Sequence, residues 1–234
     1  MEQEVRLNKF LSEAGVCSRR EADRMVEKGR ILVDGVPAQM GQKVCASQKI
    51  EVDHKRIQIE EEKVLLAFNK PRGIVCTTSK KDKDNIVDYI NYGKRIYPIG
   101  RLDKDSEGLI LLTNQGELVD KILRGSNYHE KEYIVTVNKK ITPEFLRAMG
   151  SGVPILDTVT RPCELEQIGP RTFRIILTQG LNRQIRRMCE YFSYRVIELT
   201  RVRVMNIRLG RLKSGTYRKI VGKELEELVK LLEK

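Results

Sequence analysis

The stretch Pro98–Asn114, "PIGRLDKDSEGLILLTN", sets a charge cluster directly in front of an aliphatic run. Arg101, Asp103, Lys104, Asp105 and Glu107 fall within seven residues, and Leu109 to Leu112 are all aliphatic. A short apolar run behind Ser106 and Gly108 reads as a buried strand entered through a turn. A carboxylate at its mouth is partly desolvated, and a neighbouring guanidinium keeps such a group ionised. Ionised and poorly hydrated is the state a carboxylate nucleophile needs. The same residues also suit a surface turn that Asp103 caps and Arg101 pairs with. The stretch alone leaves both readings open.

Other strands are readable on either side: "VLLAFN" (64–69), "EYIVTV" (132–137), "TFRIILT" (172–178) and "VIELTRVRVMNI" (196–207). In the last, Val202 and Val204 alternate with Arg201 and Arg203, so one face is expected to be apolar and the other cationic. Helices are fewer: "GELVDKILR", "PEFLRAMG", "NRQIRRMCEYFS" and "KELEELVKLLEK". Strands outnumber helices without strict alternation. The expected class is α+β, built on a mixed, mostly antiparallel sheet.

Upstream lies a smaller module. Leu7, Phe10, Leu11 and Ala14 share one helical face, Gly15 can end that helix, and Ser18 with Glu21 forms a capping box for a second. "ILVDGVPA" is a hairpin around Asp-Gly, and "KIEVDHKRIQI" repeats the pattern with Ile50/Val52 and Ile57/Ile59. "IEEEKV" (59–64) reads as an acidic linker. The expected division is 1–60 and 64–234.

The longest apolar runs, "VLLAF" and "LILL", fall far short of the roughly 20 residues of a membrane span. "MEQEVRLNKF" shows no apolar signal-peptide core. Five scattered cysteines without a CxxC pair suggest reduced thiols and a cytoplasmic location. With two histidines, His54 and His129, and no clustered cysteines, no structural zinc site is expected. No Walker or dinucleotide fingerprint is present.

The net charge of +12 is unevenly placed. Between Leu181 and Arg211 stand eight arginines (183, 186, 187, 195, 201, 203, 208 and 211) against Glu190 and Glu198, a surplus of six. Arginine's planar fork suits phosphates and base edges, so a polyanion is the natural partner, with a merely solvated basic face as the plainer alternative. In "QGLNRQIRRMCEYF" (179–192), Asn182 can N-cap a helix. Arg183, Arg186, Arg187 and Glu190 form one stripe, either facing solvent or bringing an arginine to a carboxylate. Tyr133 in "HEKEYIVTV" is either core or a platform for a base.

The first 50 residues, "RLNKFLSEAGVCSRREADRMVEKGRILVDGVPA" above all, resemble the S4 RNA-binding domain, which presents basic side chains to structured RNA. That implies RNA contacts for Arg19, Arg20 and Arg24. The remainder resembles the RsuA/RluB/RluE/RluF family of bacterial rRNA pseudouridine synthases. The likeness rests on "FNKPRGIVCTT", "GRLDKDSEGLILLTN", "KEYIVTV" and "GLNRQIRRM", in that order. The finer likeness, over 84–114 and 181–210, is to the RluF type, which acts on 23S rRNA. Some members of that type carry a long basic tail, whereas this sequence ends at Lys234. The resemblance therefore speaks more firmly to the reaction than to the target uridine.

The resemblance implies Asp103 as nucleophile, attacking C1′ or acting through a glycal-type route. It implies Tyr133 as the group that stacks on the base and assists proton removal at C5, and Arg186 as the aspartate's partner. Arg101 lies near the flipped nucleotide in relatives. Arg183, Arg187, Arg201 and Arg203 are expected to contact RNA. No cofactor and no metal are required by the reaction. 23S rRNA, with tRNA as a second candidate, is the expected partner of a monomer that does not meet a membrane. Two rival readings remain: a non-catalytic S4-containing ribosome-associated factor, and a retaining glycosidase-like hydrolase pairing Asp103 with Asp105 or Glu107.

Overall fold

The computed structural model describes residues 4–45, 47–58 and 62–233. The chain forms two compact units. The first comprises Met1–Val64 with Tyr92–Ile96 and Asn114–Gly116; the second comprises Leu65–Asn91, Tyr97–Thr113 and Glu117–Lys234.

In the first unit, α1 (Leu7–Glu13) ends at Gly15, whose φ of +76° a side chain would strain. The Ser18 hydroxyl accepts from the Glu21 amide at 3.2 Å and so caps α2 (Arg19–Glu27). Leu7, Phe10, Leu11, Ala22, Met25 and Val26 bury one face of the helix pair against Ile31, Val33, Ile50 and Val52. Arg19, Arg20 and Arg24 stay exposed. Asp34 and Gly35 both take positive φ, the requirement of a tight two-residue hairpin joining Ile31–Val33 to Val36–Pro37. Ile57 packs on this core, while Ile59 lies outside the described residues. Arg95 donates to the carbonyl (3.1 Å) and hydroxyl (3.2 Å) of Ser12, which ties the 92–96 segment to this unit.

The second unit is built on a nine-stranded sheet. Its strands are β1 (Leu65–Lys70), β2 (Tyr97–Ile99), β3 (Glu107–Thr113), β4 (Lys131–Val137), β5 (Glu164–Gly169), β6 (Thr172–Leu177), β7 (Val196–Val204), β8 (Ile207–Arg208) and β9 (Tyr217–Lys219). They are ordered β5-β6-β4-β7-β3-β1-β9, with β2 beside β3 and β8 beside β7. Every pairing is antiparallel except β3 with β7. The class is α+β with a mixed sheet, as the sequence implies.

The helices are α3 (Ile86–Ile90), α4 (Gly116–Leu123), α5 (Pro143–Gly150), α6 (Gln184–Tyr191) and α7 (Gly222–Leu232). Phe145 and Met149 of α5 and Ile185, Met188 and Cys189 of α6 pack on Val135, Val137, Phe173 and Ile175. A second cluster gathers Leu65, Ala67, Leu109, Leu111, Ile122, Ile207 and Leu228. The fully aliphatic run of β3 is thus covered, and Leu109 to Leu112 are at most 1% exposed.

Two local expectations are corrected. The cationic face expected for β7 is divided by a bulge. Tyr133 pairs with Arg201 while its neighbour Glu132 pairs with Arg203, so two steps on β7 match one on β4. The extra residue flips the alternation. Arg201 therefore lies on the Tyr133 face and Arg203 on the opposite one, where it pairs with Glu132 (2.6 Å) and Glu130 (2.9 Å). The second correction concerns α6. Its N-cap is Arg183, in the left-handed region at φ +49°, rather than Asn182. Asn182 instead accepts from Arg187 through its carbonyl (3.1 Å) and its side-chain oxygen (3.2 Å).

Candidate active site

The turn before β3 is held from both flanks. The Ser106 amide donates to the Asp103 carbonyl at 3.1 Å, closing the turn itself. On one side the Gly73 amide donates to the Lys104 carbonyl (2.8 Å), the Leu102 amide donates to the Cys76 thiol (3.4 Å), and Lys104 pairs with Asp84 (3.2 Å). On the other side stands the start of α6. Arg183 reaches Asp103 and Asp105, both at 3.5 Å. The Arg186 Nη2 donates to the Asp105 carbonyl (3.3 Å) and the Ser106 hydroxyl (3.2 Å), and pairs with the Asp105 carboxylate at 3.3 Å. Its Nε then lies 3.9 Å from Asp103 Oδ2.

This placement changes the meaning of three residues. Arg186 is not part of a solvent stripe; it is 8% exposed and turned to the carboxylates. Asp105 clamps one edge of the Arg186 fork and aims the other at Asp103. Glu107 is engaged by Thr200 (3.1 Å) and Arg72 (3.6 Å), and neither it nor Asp105 lines the Asp103 cavity described below. Asp105 instead shares with Asp103 the neighbouring groove along Arg72–Thr77.

Asp103 opens onto a cavity of about 480 Å³. Its floor is a continuous patch of sheet: Leu177 of β6, Lys131 and Tyr133 of β4, and Leu199 and Arg201 of β7. Its rim carries Arg101, Arg124, Arg183 and Arg186. Arg101 is exposed and also borders the neighbouring groove along Arg72–Thr77. Asp103, Tyr133, Arg186, Arg101, Arg183 and Arg201 thus meet at one site. Arg187 and Arg203 do not line it.

Two lysines in this region escape sequence reading. Lys70, at the end of β1, is fully buried and donates to the carbonyls of Pro71 (2.8 Å) and Ile74 (2.9 Å), which shapes the turn packed against the Asp103 loop. Burial pushes its ammonium down, while Cys76, Asp105, Asp103 and Glu107 pull it back up. The signal was a lysine closing an apolar run. Lys131, on the cavity floor, is pushed down to about 8 by burial and by the Arg201 charge.

Residues 64–191 match the RNA pseudouridylate synthase family, and residues 5–50 match the S4 domain. The chain belongs to the RNA pseudouridylate synthases. It is 55% identical over 231 residues to the dual-specificity RNA pseudouridine synthase RluF of Salmonella typhi, which covers 98% of this chain and 80% of that one. Against the ribosomal large subunit pseudouridine synthase B of Bacillus subtilis the identity is 35%, over 95% of each chain. A crystal structure of a pseudouridylate synthase superposes with a TM-score of 0.70 at 26% identity, over 97% of this chain and 99% of that one. This synthase is therefore an enzyme, and the reading as a non-catalytic S4 factor falls away. Among the described residues no helix is long and apolar enough to cross a membrane.

Proposed function

We propose that this synthase converts a uridine of 23S rRNA to pseudouridine, with Asp103 as its nucleophile and no cofactor. The observation that carries the reading is Asp103, the single carboxylate lining the cavity among the described residues, set against Arg183 and Arg186 in a cavity that Tyr133 also lines. The isomerisation balances without redox or hydrolysis. The N1–C1′ bond breaks with its electron pair passing to the uracil, the base turns, C5 joins C1′, the C5 proton leaves, and N1 ends protonated. Tyr133 faces the turned base and assists removal of the C5 proton. Arg186, held by Asp105 and Ser106, fixes the carboxylate. Arg101, exposed at the rim, meets the flipped nucleotide.

Extracting the uridine from its stack costs a few kcal/mol. Phosphate contacts from Arg19, Arg20 and Arg24 of the first unit, and from exposed Arg183 and half-buried Arg187, offset that cost. RluF is named as dual-specificity, so tRNA is a second substrate class to examine.

The test is incubation of unmodified 23S rRNA and of unmodified tRNA with the enzyme, followed by carbodiimide-dependent primer extension. A new stop at one 23S uridine is expected. Stops in tRNA alone would overturn the rRNA assignment, and no stop in either would overturn the reading.

A further inference from the structure

Among the described residues, five buried side-chain polar atoms lack a hydrogen-bond partner: His129 Nε2, Gln179 Nε2, Arg186 Nε, Arg201 Nη2 and Asn206 Oδ1. Four of those five residues line the Asp103 cavity. Buried polar groups are ordinarily satisfied, and leaving one unpaired is costly, more so for a charged group. Such a concentration in one cavity marks groups kept for a visitor. Arg186 Nε is accounted for by the nearby Asp103.

Arg201 is the most demanding case. It is 3% exposed, and its Nε is fixed by the Leu109 carbonyl at 2.6 Å. The backbone that carries it is equally fixed. Gly108 lies opposite in the parallel β3–β7 pair, and a Cβ there would stand 2.3 Å from the Arg201 carbonyl oxygen. Among the described residues no ion pair joins Arg201 to a carboxylate, and its charge bears on Lys131, which donates to the His129 carbonyl (3.2 Å). Arg201, Lys131 and Gln179 thus present donors and positive charge on the floor of a cavity whose one carboxylate sits above them.

Two uncompensated cations side by side are costly in a partly dry interior. Preorganised charge of this kind is useful where opposite charge develops during a reaction. Both routes open to Asp103 pass through the same event: the glycosidic electron pair leaves C1′ and spreads over N1 and the carbonyl oxygens of the departing uracil. We propose that Arg201 and Lys131, aided by Gln179, receive the uracil carbonyl oxygens and hold the detached uracil anion until C5 bonds to C1′. The inference rests on the reading of Asp103 as nucleophile. It adds a function to the sheet floor: stabilising the leaving base and retaining it. Donors from Arg201, Lys131 and Gln179 also match the acceptor O4 of uracil and mismatch the donor exocyclic amine of cytosine.

The experiment uses the full chain and 23S rRNA tritiated at uridine C5, so that each turnover releases the label. Arg201→Met is expected to lower kcat by 100-fold or more with KM changed less than threefold. It is also expected to release free uracil, because a poorly held base lets water reach C1′. Arg201→Lys restores a cation and should recover at least a tenth of the rate with no uracil release. Lys131→Met should lower kcat tenfold, and it carries the test by itself if Arg201→Met does not fold.

Wild-type rates in folded Arg201→Met, or in Lys131→Met, would overturn the proposal. So would a defect in KM alone, or a loss of kcat that Arg201→Lys leaves unrepaired in a protein that melts normally. If instead the wild-type enzyme releases no tritium, the underlying pseudouridine reading fails, which is a separate outcome.

Discussion

At the scale of single residues, the site depends on how one arginine is divided between two aspartates. Arg186 spends Nη2 on Asp105 and Ser106 and directs Nε at Asp103. A lysine carries the charge but not the fork. Arg186→Lys is therefore expected to reduce kcat on the order of 10²-fold, with RNA affinity nearly unchanged, in single-turnover and filter-binding measurements. Lys131 supplies a pH signature. Its folded value of about 8 lies below the ordinary 10.5, so between these values the unfolded chain holds a proton that the folded one lacks. Stability from this group is thus expected to rise as pH climbs from about 8 toward 10.5. Activity should move the other way and fall as the ammonium is lost. Parallel melting and kcat/KM profiles check both directions, and Lys131→Met should flatten both steps. Asp103 and Tyr133 were legible in sequence as candidates, each with a plainer alternative beside it. Asp105 was not, because equal charges in one loop give no hint of which one an arginine from another element will clamp.

At the scale of elements, the decisive contact is the parallel pairing of β3 with β7, two strands almost a hundred residues apart. It needs Gly108, whose φ of +103° and absent Cβ let the Arg201 backbone approach. Gly108→Ala is expected to cost about 3 kcal/mol or more from overpacking and backbone strain. The melting temperature should fall by roughly 6–12 °C for a chain of this size, and activity should fall with it. The strands themselves were readable from their aliphatic runs. So was the helix pair of the first unit, down to the Ser18 cap. The bulge in β7 was not, because an inserted residue leaves no mark on the alternation of Val202 and Val204 with Arg201 and Arg203. Only pairing with β4 reveals that Arg201 turns into the cavity while Arg203 joins Glu130 and Glu132. β5, with its mixed "ELEQIG", was missed because its side chains are mostly exposed and show no clean alternation.

At the scale of the whole molecule, the excess of positive charge is expressed as salt dependence. RNA affinity is expected to fall steeply between about 50 and 200 mM salt, with a logarithmic slope near 0.7–0.9 per phosphate contacted. Removing Arg19, Arg20 and Arg24 together should flatten that slope. Neutralising Arg203, already committed to two glutamates, should leave the slope unchanged and lower the melting temperature. The presence of an S4 domain and of a synthase domain, and the polyanionic character of the partner, were open to sequence reading, since both are carried by local pattern and composition. The grouping of donors around the cavity floor was not, because it arises from two strands and the loop after β6, which only the sheet order brings together.

The most direct test of the central claim, that Asp103 performs the bond exchange, is tritium release from C5-labelled 23S rRNA by wild-type enzyme and by Asp103→Asn at matched RNA occupancy. Wild type is expected to release label in step with pseudouridine, and Asp103→Asn to lose at least about 10³-fold in rate while binding RNA as before. Release by Asp103→Asn at the wild-type rate would contradict the assignment.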